Sequence, residues 1–511
     1  MEETKEERVN SNGLILDVDQ NPKKAGSWII LAIQHVLAMF VACITVPMLV
    51  YSGYLVQVDG VEMSLAAAMI APTLVSAGVG TAFYLLMTKF RSPMFLASSF
   101  AYIGPMCSAI APLTAGDKPN LWLLPIGMAM VGVVYVVVAI LIKFFGVKWL
   151  NKLLPPIVIG PVIMVIGLSL AGSAIGNLTS AGGFGYNWPA IISGLVAMVV
   201  TAVCSHYGKK MIALIPFVIG MLAGYVVALI FTAIGYAANA DYLKVISFDP
   251  FINIFGAGNI KFTSFLNYPR FLFLFGEYSA PLTAAGIGKA ALLFIPVSFV
   301  TICEHIGDHK NISGILQRDL LVEPGLQRTL IGDGVATAIS GVLCGAANTT
   351  YGENVAVVGV TKIASTKVIL LACGIAVLLG FLSPVMAFTQ TIPGCVTGGV
   401  SLILYGFIAS SGVKMLIHEK VDMSKVRNIF VASVILIAGI GGLAFKFGKP
   451  SELAIAPVVE ITSVAGSMIL GIIMNLILKE KKPVEEAKQV EAGEEVKIEE
   501  EVQAEEVKPE E

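Results

Sequence analysis

Two long runs of this chain, 153–208 and 368–413, contain no Asp, Glu, Lys or Arg. A soluble domain carries about 25% charged residues spread over its surface, so neither run can be wrapped around a water-facing core. Each is long enough to cross a bilayer twice at about 20 residues per span. The remainder agrees: of 511 residues, 56% are hydrophobic and 13% charged, with a mean hydropathy of +0.83. This composition excludes a soluble enzyme or a soluble binding module. The first apolar run, about 26–50, is too long for the core of a signal peptide and reads as the first membrane helix.

The net charge of −2 hides two opposed parts. From Lys479 onward there are six basic and thirteen acidic residues, a net of −7, which leaves +5 on the body. The tail, 479–511, is rich in Glu, Lys and Val with no aromatic residue, a composition that buries too little apolar surface to order itself. The seven cysteines all fall in or beside apolar stretches without a CxxC pair, and read as small buried hydrophobes.

Apolar stretches bounded by polar or turn-forming residues lie near 26–50, 63–88, 92–112, 121–142, 153–176, 189–205, 212–236, 290–312, 329–346, 347–361, 366–387, 392–413, 428–445 and 454–478. The sequence therefore predicts an all-α polytopic membrane protein with fourteen transmembrane segments. Loop charge tests the count independently, because basic residues concentrate on the cytoplasmic side. With the N-terminus inside, the inward loops hold Lys89, Arg91, Lys143, Lys148, Lys152, Lys209, Lys210, Lys310, Arg318, Arg328, Lys362, Lys367, Lys414, Lys420, Lys425 and Arg427. The outward loops hold only Lys118, Lys244, Lys261, Arg270, Lys289, Lys446 and Lys449. Both termini then face the cytoplasm.

Segments 3 and 10 are short and interrupted by Ser, Thr, Gly and Pro. Each is third in its half of seven, and seven is odd, so the halves run in opposite directions. Inverted 7-span repeats with paired discontinuous helices are the usual construction of a secondary transporter's binding site.

Few charges lie inside the spans: Glu304, Asp308, Asp333, Glu353 and Glu460. An ionised group in the bilayer interior costs at least about 2.5 kcal/mol on insertion scales, so each is a functional candidate until a structural reading accounts for it. Asp333 and Glu460 fall near predicted span ends, where a carboxylate reaches headgroup water. Glu304 lies well inside the eighth stretch, with Asp308 four residues on and so on the same helix face. Two carboxylates one turn apart, where charge is disfavoured, tend to hold a proton between them. His305 and His309 share the i, i+4 spacing of an HExxH zinc site, but the glutamate precedes the first His and no third ligand is evident, so no metal and no cofactor is expected. Glu353 opens the second broken segment in Asn348-Thr349-Thr350-Tyr351-Gly352-Glu353-Asn354. A carboxylate beside exposed backbone, a glycine and an aromatic ring is suited to a flat polar ring.

Gln34-His35, Ser98-Ser99-Phe100-Ala101, Glu304-His305-Ile306-Gly307, the run Asn348 to Asn354, and Gly398 to Leu402 with Tyr405-Gly406 together resemble the nucleobase–ascorbate transporter family, above all its bacterial uracil carriers. The resemblance runs from about Gly26 to Leu478. It implies import of a nucleobase, uracil before xanthine or urate, in symport with protons across the inner membrane. It implies a core domain of spans 1–4 (26–145) and 8–11 (290–388), a gate domain of spans 5–7 (146–240) and 12–14 (389–478), an extracytoplasmic loop (241–289) and an elevator-like dimer. By motif, Glu304 and Glu353 bond the base, the backbone amides of Phe100 and Gly352 meet its carbonyls, and Ala42, Tyr351 and Tyr405 pack around it. Proton coupling falls to Glu304, Asp308, Glu353 and His35. No nucleic-acid partner is implied. Ala356 stands where the family signature often has Gly, and Glu353 favours the pyrimidine branch, because purine carriers often have Gln there. A membrane enzyme or receptor is the reading of another class, and no nucleophile–base pair or output domain supports it.

Overall fold

The computed structural model describes residues 13–478 except 52, 59–60, 112–117, 182, 210–211, 213–214, 257–259, 273–277 and 448–458, and the side chains of 57, 58, 61–63, 459 and 460. The readings for the tail 479–511 and for the Glu460 side chain fall outside these residues.

The chain runs through α1 (Ala25–Val50) and α2 (Leu65–Met87), breaks into strand β1 (Leu96–Ser98) and the short α3 (Ile103–Ile110), and continues through α4 (Leu123–Phe145). It goes on through α5 (Pro156–Thr179), α6 (Trp188–Tyr207) and α7 (Pro216–Ala237). Next come α8 (Ala284–Leu316), α9 (Leu326–Val342), a second break into β2 (Asn348–Thr350) and α10 (Gly352–Thr361), and then α11 (Thr366–Phe381), α12 (Gly394–His418), α13 (Val426–Ile440) and α14 (Ser463–Ile477). Among the described residues eight helices are long and apolar enough to cross a membrane: α1, α2, α4 to α8, and α12. The other helices that fall on expected spans are shorter, α11, α13 and α14 being apolar helices of 15 or 16 residues. The chain is thus an all-α polytopic membrane protein, with eight helices of crossing length among its described residues where fourteen spans are expected.

The interrupted segments pair with each other. β1 and β2 are antiparallel, with Leu96 opposite Thr350, Ala97 opposite Thr349 and Ser98 opposite Asn348. Extended backbone among apolar helices must find partners inside the protein, and here each strand supplies them to the other. The flanking residues extend the ladder, Ser99 N donating to Ala347 O at 2.8 Å and Tyr351 N to Phe95 O at 3.1 Å. Side chains of the neighbouring helices complete it: Leu96 N donates to Thr81 Oγ1 of α2 at 2.9 Å, and Thr337 Oγ1 of α9 donates to Asn348 O at 2.5 Å.

Small residues let the helices close up, as packing between apolar helices requires. A Cβ on Gly399 of α12 would sit 2.0 Å from the Gly194 carbonyl oxygen of α6.

The two ends of α8 sort the connections into two sets. Around its C-terminal end Arg318 pairs with Asp17, Glu323 with Arg91, and Lys310 Nζ with Glu419 Oε1 at 2.7 Å. Around its N-terminal end a Cβ on Gly286 would touch Leu123 at the start of α4, Trp122 N donates to Ser279 Oγ at 3.3 Å, and Ala280 N donates to Pro119 O at 3.0 Å.

Candidate functional site

The long helix α8 presents two faces. Glu304, Gly307 and Asp308 lie on one, half-buried, while His305 and His309 are fully buried on the other. The i, i+4 relation produces both pairs. Apolar neighbours and polar partners from α2 and α9 hold the histidine face in place, so the carboxylate face is left for the open side.

That side is a cavity of about 1110 Å³ between α8, α10, α1 and α12. Glu304, Asp308, Gly352 and Glu353 line it. Glu353 arrives there because β2 ends at Thr350 and α10 begins at Gly352, which puts the carboxylate in the first turn of a helix that starts inside the protein. The N-cap residues of α10 and α3, Tyr351 and Tyr102, make no side-chain cap to the first turn. The first N–H groups of such helices lack intrahelical acceptors and carry the positive end of the dipole.

Asp308 is fixed from the second broken segment: Thr350 Oγ1 donates to its Oδ2 at 2.7 Å. A Cβ on Gly352 would come within 3.5 Å of Asp308 Oδ1, so the chain passes closely over the carboxylate.

The other expected residues lie around this centre. Phe100 and Tyr405 are buried and meet edge to face, with ring centroids 5.5 Å apart at 76°. Tyr351, Ala42 and His35 are buried too, and do not line the cavity. His35 instead holds α1 to α10, since Asn354 Nδ2 donates to His35 Nδ1 at 3.1 Å and to its backbone oxygen at 3.0 Å. The structure therefore brings Glu304, Asp308, Gly352 and Glu353 together on one surface and leaves the remaining candidates behind it.

Asp333 corrects the sequence reading. It does not reach headgroup water: it is 0% exposed, and its Oδ2 accepts from His305 Nδ1 at 2.7 Å. The break at Pro324-Gly325 and the charge on Arg328 mark a boundary in the sequence, but α9 begins at Leu326 and turns Thr329 and Asp333 onto α8. Thr329 Oγ1 meets the other nitrogen of His305 at 3.0 Å. One turn on, the His305 backbone oxygen accepts from His309 Nδ1 at 2.8 Å. With its hydrogen on Nδ1, His309 meets the Tyr84 hydroxyl through Nε2 at 2.7 Å, and Tyr84 in turn meets Ser92 Oγ at 2.8 Å. The two imidazoles stack with centroids 4.0 Å apart. Ser92, Tyr84, His309, His305 and Asp333 thus form a buried polar network directly behind Glu304 and Asp308. The sequence carries a signal for it, a second i, i+4 polar pair one residue out of phase with the carboxylates, whose spacing also reads as a metal motif.

Comparison with known proteins follows the same lines. Residues 26–446 match a family profile described as a permease family. The chain is 40% identical over 475 residues to the uracil permease of Bacillus caldolyticus, covering 93% of this chain and 97% of that one. It is 34% identical over 451 residues to the uracil permease of Escherichia coli strain K12, covering 88% and 90%. Among solved structures, the transmembrane domain of the cyanobacterial bicarbonate transporter BicA superposes with a TM-score of 0.52 at 13% identity, over 89% of this chain and 98% of that one. The structure of SLC26A9 gives 0.54 at 11% identity, over 89% and 66%. At such identities these two structures speak to the fold alone.

Proposed function

The chain belongs to the nucleobase–cation symporter family of membrane permeases, and on that premise we propose that it imports uracil together with protons by an elevator-like movement. The observation that carries the reading is the convergence of Glu304 and Glu353 on one cavity at the start of α10. A uracil ring offers two N–H donors and two carbonyl acceptors. Two carboxylates accept the donors, and the backbone amides of Phe100 and Gly352 meet the carbonyls. Phe100, Tyr405, Tyr351 and Ala42 are buried behind the cavity in this state, and on the family pattern they pack around the ring when the base is bound. Bonds to charged acceptors in a dry site are short and strong, so a base is held without a metal or cofactor.

Asp308 and Glu304 carry the coupling proton. They are one turn apart on the cavity face, and a buried carboxylate pair gains a proton more readily than either group alone. Glu353 and His35 belong to the same coupling cluster, His35 through its bond with Asn354. The gradient is used when protonation of this cluster and occupancy by the base favour the same state.

Fourteen spans in two inverted repeats fit this activity. The antiparallel pairing of the two broken segments supports a two-fold relation between the halves, and the sorting of connections at the two ends of α8 agrees with the alternation of basic loops. Residues 26–145 and 290–388 form the moving core, and 146–240 and 389–478 the gate through which two copies associate. The cavity reaches Lys310, Lys362 and Lys414, all assigned to the cytoplasmic side, so the state is inward-facing in the inner membrane, with both termini inside.

Uptake by cells lacking their own pyrimidine carriers tests the reading. Labelled uracil should accumulate, a proton uncoupler should abolish accumulation, and excess xanthine should leave uptake unchanged. Uptake blocked by xanthine would make this a purine carrier of the same fold.

A further inference from the structure

The carboxylates of the cavity ride on two helices whose C-terminal ends are bridged by one stretch of chain. Glu304 and Asp308 belong to α8, and Glu353 to α10. Each helix stops at a left-handed residue, Gln317 with φ of 52° and Lys362 with φ of 58°. Gln317 follows Asp308 by nine positions and Lys362 follows Glu353 by nine, roughly 13.5 Å of helix in each case. Residues 14–18, ahead of α1, reach both ends. Gly13, just before them, lines the cavity together with Gln317 and Lys362.

The stretch is docked by its backbone. The Lys362 carbonyl accepts from Ile15 N at 2.8 Å and Leu16 N at 3.3 Å, Ala364 N donates to Leu16 O at 2.8 Å, and Thr366 donates to Val18 O through its N at 3.1 Å and its Oγ1 at 3.0 Å. Leu16 and Ile363 thereby form a parallel bridge. Leu14 is fully buried, and Asp17 and Val18 are buried beside it in sequence. Asp17 makes the tie to α8: its Oδ2 accepts from Arg318 Nη2, directly past the helix end, while its Oδ1 accepts from Val18 N at 2.7 Å. The tie matters most for α10. That helix has ten residues against the 33 of α8, too few to hold their shape without tertiary support. Its start is bound to α1 through Asn354 and His35, and a Cβ on Gly359 would meet Ile315 of α8 at 3.2 Å. Its far end is bound to residues 14–18.

We propose that Leu14 and Asp17 are positioning residues for the binding site: by strapping the end of α10 to the end of α8 they hold Glu353 in register with Glu304 and Asp308. Neither residue touches the base. The inference rests on the reading of Glu353 as a ligand of the base. A base that needs both helices to present their carboxylates together binds only the fraction of molecules in which α10 is in place, so its apparent affinity falls with that fraction. Loosening the strap therefore weakens binding from a distance, and it does so through Glu353. The segment ahead of the first membrane helix is in this account a working part of the site.

Labelled uracil binding to purified, monodisperse full-length protein tests this in a mutant cycle. Leu14→Ala/Asp17→Ala withdraws the buried anchor and the ion pair together, and should lower uracil affinity at least about fivefold. Asp17→Glu keeps the carboxylate and should bind within about twofold of wild type. In a Glu353→Gln chain the same pair of alanines should cost less than about twofold further, because groups that act through one another are not additive. Where the double alanine variant does not give monodisperse protein, Asp17→Ala alone takes its place in the cycle. Unchanged affinity in the alanine variant overturns the proposal. An equal loss with Glu353 and with Gln at that position also overturns it, since the strap would then support the protein at large and not this carboxylate. If Glu353→Gln binds uracil as wild type does, the reading of Glu353 as a ligand fails first and the proposal falls with it, which separates the two failures.

Discussion

Thr350 donates its hydroxyl hydrogen to Asp308 Oδ2 at 2.7 Å, a bond that ties the strand of the second broken segment to the carboxylate face of α8. It fixes one oxygen of Asp308 and leaves the other toward the cavity, where Gly352 passes close by. A titratable group held this way feels changes at both the strand and the ligand.

Asp308→Asn keeps an acceptor oxygen for Thr350 and removes the titration. Gradient-driven accumulation of uracil should fall at least about tenfold, equivalent to roughly 1.4 kcal/mol of lost coupling. Counterflow with equal pH on both sides should fall far less. Equal losses in the two assays would make Asp308 a binding or folding residue and leave the proton on Glu304.

Asp333 serves as a structural partner in the buried network. Asp333→Ala leaves the Nδ1–H of His305 without its acceptor in a site with no exposure to water. An unsatisfied buried donor costs about 1–3 kcal/mol, so the purified variant should unfold at a lower temperature than wild type. Asp333→Asn retains an acceptor and should recover most of the loss. An alanine variant as stable as wild type would remove the network from the account of stability.

The sequence made the cavity's carboxylates legible because an ionised group amid apolar residues is conspicuous, and the broken segments legible because Ser, Thr, Gly and Pro interrupt a run that should be uniform. Asp333 was less visible. Its nearest charges and helix breakers place it near a span end, and only the packing of α9 on α8 buries it against His305. Thr350 and Asp308 are 42 residues apart, and nothing local links them. The convergence of Lys362 and Lys414 on the cavity had no local signal either, since loop charge reports a side of the membrane and not a wall of a pocket. Fewer helices of crossing length than apolar stretches are described, in part because α11, α13 and α14 are shorter than the stretches around them.

Orientation is tested by labelling single cysteines from outside intact cells. Lys261 and Lys425 lie in connections assigned to opposite faces by their basic charge. Cysteine at 261 should react with an impermeant thiol reagent, and cysteine at 425 should react only after the cells are opened. Labelling of 425 in intact cells, or protection of 261, would overturn the arrangement of spans.

Glu353 carries the sharpest expectation. It stands in the first turn of α10, half-buried, on the surface of the cavity and opposite Glu304 and Asp308. As a carboxylate it accepts an N–H of the base. Glu353→Gln keeps the size and one acceptor oxygen, but replaces the other oxygen with an NH₂ donor and removes the charge. Bonds to charged groups contribute about 1.5–3 kcal/mol, and a donor turned against a donor in a dry site adds a desolvation cost. The loss should reach at least about 2 kcal/mol, roughly thirtyfold in affinity for uracil. Folding should change little, because the group borders a cavity and its replacement has the same shape. The measurement is uracil binding to purified, monodisperse Glu353→Gln protein, with its thermal stability recorded alongside. An affinity within a few-fold of wild type would show that Glu353 does not touch the base, and the pyrimidine assignment would then have to rest on similarity to relatives alone.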